Sequence, residues 1–240
     1  MLGIISGTFF LQELDQFKCA ESSFKVNQFG QAFVLSGDSV VFVPRHGTDP
    51  KHYTLPHLIN HQANLKALLD VGADEVIGIN STGSMRKTLK PGSIVIPDDF
   101  MTFVRSPSIY VDKPIHVVPR LNMTVRSQCL KAASRCGIEV KDGGTYWQTT
   151  GPRLETKAEI RMMSAFADIV GMTMASEASI AVELGLPYAS ICSIDNYANG
   201  VGEDDLTLEE IHEQARCNRK AILQIISQCI IIRNESLQRA

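Results

Sequence analysis

The sequence predicts an α/β fold: a mixed, mostly parallel central sheet flanked by helices on both faces. Short apolar runs recur at Leu2 to Ile5, Val40 to Pro44, Glu75 to Asn80, Ser93 to Pro97 and Tyr188 to Ile194, as buried strands do. Helical patterns separate several of them. Polar turn residues (Thr8, Arg45, His46, Ser81) follow the strands, at the carboxyl ends where ligands collect in such sheets.

The 240 residues, 44% apolar and 20% charged, can bury one large core, so a single domain over residues 1–240 is expected. A formal net charge of -3 gives no electrostatic reason to expect nucleic acid or an acidic membrane as partner. Cys19, Cys129, Cys136, Cys192, Cys217 and Cys229 form no C-x-x-C pair and read as reduced thiols. No basic leader precedes Leu2, and no apolar run reaches about 18 residues, so a cytoplasmic location is expected.

Taken in order, Leu2 to Ile5 is a buried strand opening into Ser6-Gly7-Thr8, a turn that can offer a hydroxyl and main-chain N–H groups to an anion. No dinucleotide or Walker-type glycine pattern follows. Val40 to Pro44 delivers Arg45-His46-Gly47, and the planar donor fork of Arg45 suits an anion. A helical pattern begins at Leu55-Pro56 and ends near Gly72. His52, His57 and His61 fall in this region without an H-E-x-x-H pattern or a carboxylate ligand, so no metal is expected.

Glu75 to Asn80 is the next strand, and Ser81-Thr82-Gly83-Ser84 reads as a small-residue turn suited to a phosphate or a ribose hydroxyl. Ser93 to Pro97 follows the Pro91-Gly92 turn. Residues 101–119 form a long irregular loop holding His116, of the kind used as a lid or subunit contact. Asn122 to Gly137 is helical by pattern.

From Gly144 to Glu177 the chain places a Gly151-Pro152 bend and Glu155 before a helical pattern, then an apolar strand ending at Met172, Thr173 and Glu177. Tyr188 to Ile194 delivers Asp195, Asn196, Tyr197 and Ala198, and a side-chain amide there can read one edge of a heterocycle. The capping box Thr207-Leu208-Glu209-Glu210 starts a helix running to about Ile232, with Leu208, Ile211, Ile222, Ile225 and Ile226 expected to face the sheet. Taken singly, these features are equally ordinary: a helix start at Leu154, core methionines at Met172 and Met174, a turn at 196–200.

In order and spacing, Gly7-Thr8, Arg45-His46-Gly47, Asn60-x-x-Ala63-Asn64, Gly83-Ser84-Met85-Arg86, Pro91-Gly92 to Ile96-Pro97, Gly151-Pro152-Arg153-Leu154-Glu155-Thr156 and Gly171-Met172-Thr173 to Glu177 resemble the trimeric purine nucleoside phosphorylase and methylthioadenosine phosphorylase family. The likeness spans nearly the whole chain. It implies a homotrimer, with His116 near a neighbour's site, and phosphorolysis of a purine nucleoside without a cofactor, inorganic phosphate being co-substrate and nucleophile. It implies that Thr8, Arg45, His46, Ser81 and Thr173 hold phosphate, and that Met172 packs beneath the ribose. The family's glycine after the first turn is replaced here by Phe9.

Three positions bear on substrate. Glu155, beside Leu154, matches the glutamate with which 6-oxopurine enzymes accept from N1–H; against adenine, acceptor would face acceptor. Asn196 matches the asparagine of oxopurine enzymes, with Ala198 where adenine enzymes carry a second aspartate. Leu208 stands where methylthio enzymes have an apolar residue and ordinary nucleoside enzymes a histidine. Together these imply S-methyl-5'-thioinosine. His212, one helical turn after Leu208, keeps a 5'-hydroxyl open and with it inosine or guanosine; methylthioadenosine is the third candidate. Asp195 joins Asn196 as a candidate catalytic residue, either orienting Asn196 or shaping a turn.

Overall fold

The computed structural model describes residues 1–7, 17, 21–203 and 206–238. Its centre is β5 (Glu75–Ser84). Along one flank β5 pairs in parallel with β11 (Tyr188–Tyr197). The other flank is divided. There β1 (Leu2–Ser6) runs parallel to Glu75 through Gly78, while β10 (Ile169–Gly171) runs antiparallel to Gly83 and Ser84. Among the described residues none pairs as a strand with 79–82 on that flank, which opens a notch of about 13 Å at roughly 3.3 Å per residue.

Beyond β1 the sheet continues through β4 (Val40–Pro44), β3 (Gly30–Ser36) and β2 (Glu21–Asn27); beyond β10 it continues through β9 (Thr145–Gln148) and β7 (Asp99–Thr102). On the far side β11 carries β6 (Ile94–Ile96), which carries β8 (Lys141–Asp142). Helices α1 (His61–Asp70) and α4 (Met174–Leu184) cover one face, burying Leu65, Leu68, Met174 and Ile180 with Val76 of β5. Helices α2 (Met123–Arg135) and α5 (Leu208–Leu237) cover the other, burying Val125, Ile222 and Ile226 with Ile77 and Ile79. Alternate residues of β5 thus feed opposite faces, as the two-residue period of a strand requires. The remaining helix, α3 (Lys157–Met163), packs with Trp147 and Val170 in a smaller cluster.

The α/β expectation holds, with corrections. Ser81 to Ser84 is not a turn: β11 and β10 supply partners that extend β5 by four residues beyond Asn80. Strand β11 likewise passes Ile194 and runs to Tyr197, with a bulge that leaves Asp195 out of register. The helix expected from Pro56 is divided: a short 3-10 turn covers Pro56–Leu58, and α1 starts at His61, capped by the Asn60 side chain accepting from Ala63 N at 2.9 Å. Helix α5 opens with the expected capping box, yet Leu208 does not face the sheet; it is 61% exposed. The β2–β3 hairpin gave no buried-strand signal because Phe24 and Val26 lie on its open face. Among the described residues no helix is long and apolar enough to cross a membrane.

Candidate active site

The notch in the sheet is occupied by Arg45, which leaves the end of β4 and turns inward to become 5% exposed. Its Nη2 donates to Ile5 O at 2.8 Å and its Nη1 to Ile79 O at 2.7 Å, so the guanidinium bridges the two strand ends that do not meet. Nε donates to Glu177 Oε1 at 2.5 Å and Nη2 also to Oε2 at 3.2 Å. One N–H from Nε, two from Nη2 and one from Nη1 are therefore engaged, leaving one of the five for a ligand. This corrects the expectation of a free donor fork: the fork grips Glu177. The Tyr188 hydroxyl donates to Glu177 Oε2 at 2.7 Å, and burial pushes that phenol far above its usual range. Gly78 makes room, since a Cβ there would stand 2.0 Å from Tyr188 Oη.

With Arg45 and Glu177 neutralising each other, an anion at the notch depends on oriented donors. Thr173, at the N-cap of α4, is one. Ser190 Oγ donates to Asn80 Oδ1 at 2.7 Å, which turns Asn80 Nδ2 onto Thr173 Oγ1 at 2.8 Å. The threonine oxygen accepts, so its own hydrogen remains to donate outward. The positive end of the α4 dipole lies at the same place.

His46 is 8% exposed. Its Nδ1 lies 2.8 Å from Thr54 O, which assigns the hydrogen to Nδ1 and leaves a lone pair on Nε2, 3.1 Å from the Tyr53 hydroxyl. Burial, and secondarily the Arg45 charge, lower its pKa to about 4. His46 is thus a neutral acceptor rather than a cationic clamp.

Ser81 does not join this group through its side chain. Strand alternation puts it on the α5 face, opposite Asn80, where it bonds the Asp195 carboxylate. Asp195 Oδ2 also accepts from Ser193 Oγ at 3.0 Å and Oδ1 from Asn218 Nδ2 at 2.7 Å. Desolvation raises its pKa in spite of these donors. The bulge that sets Asp195 out of register lets it and the next residue serve different partners: Asn196 lies across β5 from Gly83, whose missing side chain leaves room for the amide, and donates to Tyr197 O at 2.8 Å.

Glu155 is 7% exposed; Thr149 Oγ1 donates to its Oε1 at 2.6 Å, and Asn199 Nδ2 donates to its main-chain oxygen at 3.0 Å. Asn199 thereby ties the Glu155 segment to the chain just after Asn196. Glu155 also borders a recess of about 260 Å³ lined by Phe103, Trp147, Gly151 and Met162. Met172 lies against Gly151, where a Cβ would meet its sulfur at 2.5 Å.

The remaining expected positions are less engaged. Ala198 is 3% exposed and packs in the Trp147 cluster. Leu154 is 36% exposed, and His116 lies exposed in the segment between β7 and α2. Leu208 and His212 sit on the first turns of α5, both exposed. Thr8 lies outside the described residues.

Sequence reasoning left Glu177, Tyr188, Asn80, Ser190 and Asn218 without roles. Glu177 had a legible signal: a carboxylate amid the small and apolar residues MASEASIAV of 174–182. The others are polar residues inside strands and helices, and only the fold shows what they meet.

The chain matches the family described as "Phosphorylase superfamily" over residues 2–231. It is 40% identical to a protein of Archaeoglobus fulgidus described as "Probable 6-oxopurine nucleoside phosphorylase", with all of both chains covered. It is 37% identical to a "Probable S-methyl-5'-thioinosine phosphorylase" of Methanothermobacter thermautotrophicus, over 96% of this chain and 83% of that one. Methylthioadenosine phosphorylase from Schistosoma mansoni, solved with tubercidin, superposes with a TM-score of 0.86 at 26% identity, over 98% of this chain and 92% of that one. On a match that spans residues 2–231 and relatives of this likeness, the chain belongs to the phosphorylase superfamily.

Proposed function

We propose that the chain is a nucleoside phosphorylase that cleaves 6-oxopurine nucleosides, S-methyl-5'-thioinosine foremost, with inorganic phosphate to give hypoxanthine and 5-methylthioribose 1-phosphate. The observation that carries the base assignment is Glu155, a buried carboxylate whose Oε1 is fixed by Thr149 and whose segment is tied to the neighbourhood of Asn196 through Asn199. A hydrogen-bond acceptor suits N1–H of an oxopurine and opposes the bare N1 of adenine. The names of the Archaeoglobus and Methanothermobacter relatives support the same base; that of the Schistosoma structure is of the adenine type.

In this reading phosphate takes the notch. Arg45 gives it one hydrogen bond, Thr173 another, and the neutral His46 exchanges the Tyr53 hydroxyl at its Nε2 for the hydrogen of HPO₄²⁻. A phosphate oxygen attacks the anomeric carbon as the bond to purine N9 breaks and its electron pair leaves with the base, which takes up the proton that the phosphate releases on becoming the ester dianion. Asn196 donates to the purine O6 or N7, where negative charge develops, and Glu155 holds N1–H. Holding both reactants in place replaces a nucleophile supplied by the chain. Met172 packs beneath the ribose. Leu208 lies beside a 5'-methylthio group, where a leucine leaves a hydroxyl unpaired.

The same proposal includes a homotrimer, with His116 in the segment offered to a neighbouring site, and a cytoplasmic location. Side-by-side assays of S-methyl-5'-thioinosine, inosine, guanosine and methylthioadenosine, each with a no-phosphate control, test it. The oxopurine nucleosides should be cleaved only with phosphate, the methylthio one best. Preference for inosine would move the 5' assignment to His212, and preference for methylthioadenosine would remove the Glu155 argument. Tight nucleoside binding without turnover would make the chain a binding protein.

A further inference from the structure

Among the described residues the notch is short of donors for a phosphate: Arg45 keeps one N–H, His46 Nε2 presents a lone pair to the Tyr53 hydroxyl, and the Ser81 hydroxyl lies on Asp195. One nearby side chain has no role in the reading above. His61, the first residue of α1, is 6% exposed, and its Nδ1 is buried without a hydrogen-bond partner. The Arg45 charge acts on it, as would the charge of a protonated His46, which puts it within Coulomb reach of the pair at the notch. An imidazole nitrogen left unpaired inside a protein forfeits its hydration with nothing in return. Leu65 and Leu68 on the same buried face of α1 show that the place accepts apolar side chains. Arg45 is thus approached from two helix starts, through Glu177 in the first turn of α4 and through His61 on the first turn of α1.

We propose that His61 is an anion-contacting residue of the phosphate subsite, its unpartnered nitrogen completed by the bound phosphate. The inference rests on the phosphate reading of the notch. It adds a donor on the α1 side of the anion and explains why a polar residue stands at a position packed for apolar ones.

The test compares the wild type with His61→Phe and His61→Gln for KM toward inorganic phosphate, KM toward nucleoside, and the rise in Tm on adding phosphate. Expected in His61→Phe are a phosphate KM raised about tenfold or more, a nucleoside KM within about twofold, and a smaller phosphate-induced Tm rise; the glutamine, which keeps a donor, should lie between. A phosphate KM unchanged in His61→Phe, together with a raised Tm without phosphate, overturns the proposal and makes His61 a core orphan. Should the phenylalanine variant fail to fold, the imidazole ¹⁵N resonances of His61 in the wild type decide, assigned by their loss in His61→Gln. They shift on adding phosphate, or they stay and the proposal falls. A wild type that cleaves nucleoside without phosphate removes the underlying reading instead.

Discussion

Replacing Glu177 by Gln tests how the notch is held. Glu177 is wholly buried and Arg45 nearly so, which makes their pair one of the least solvated in the protein. The substitution leaves the guanidinium charge in place and removes its compensation. The Gln amide can still accept from Arg45 Nε, but its NH₂ then faces Nη2 and the Tyr188 hydroxyl. Breaking a buried pair by deleting one charge costs about 3–5 kcal/mol. For a domain of this size each kcal/mol lowers Tm by roughly 2 °C, so a fall of about 6–10 °C is expected in a thermal melt. Deleting both charges, as in Arg45→Met with Glu177→Leu, should be milder than Glu177→Gln alone, because no buried charge is stranded. A Glu177→Gln melt within about 2 °C of the wild type would refute the reasoning, since the guanidinium would then be reaching water or another anion.

Gly78→Ala should destabilise by about 1–3 kcal/mol or more from overpacking, because the new Cβ would stand 2.0 Å from Tyr188 Oη and 3.0 Å from Glu177 Oε2; urea unfolding checks this, and adding Tyr188→Phe should restore part of the loss. His46 and His61 have folded pKa values lowered to about 4 and about 3 from 6.5. The unfolded chain therefore protonates first as pH falls. Their contribution is complete above pH 6.5 and is lost on the way down toward those values, at most about 1.4 kcal/mol per pH unit per group; His61→Phe should flatten the slope between pH 6.5 and 4. Asp195 has the opposite sign. Its pKa is raised from 3.8 by desolvation, so the folded state holds the proton longer and stability falls as pH rises above 3.8 through the folded value. Asp195→Asn should thus gain on the wild type as pH rises above 3.8 in denaturant melts; a difference independent of pH would contradict the assignment. Finally, Glu155→Ser with Asn196→Asp should move the ratio of kcat/KM values toward 6-aminopurine nucleosides, measured on matched substrates.

Strand β4 was legible in the sequence to the residue, and β1 to within one, because both are buried on two faces and read as unbroken apolar runs. The extension of β5 through Ser81–Ser84 was not. Small polar residues carry no strand periodicity, and the partners that hold them, Val170 and Tyr197, come from much later in the chain. Arg45 and Thr173 were legible as residues at element ends, and the structure brings both to the notch. What sequence could not show was how few donors they have left, since that depends on Glu177, Ile5, Ile79 and Asn80 converging from three separate elements. Ser81 was misjudged for the related reason that adjacent residues of a strand look in opposite directions.

The divided flank of β5 has a consequence for how this protein can change. The width of the opening is set by a count of residues, from Gly78 where β1 leaves to Gly83 where β10 arrives. Adding or deleting one residue between them would rotate everything downstream by one pleat, sending the Asn80 side into the α5 layer and the Ser81 side toward Thr173. The alignment of Gly83 with Asn196 across the neighbouring strand would be lost in the same step. Point substitutions can retune this segment one side chain at a time, whereas length variation is closed to it and must be accommodated elsewhere, in connections such as the long segment between β7 and α2.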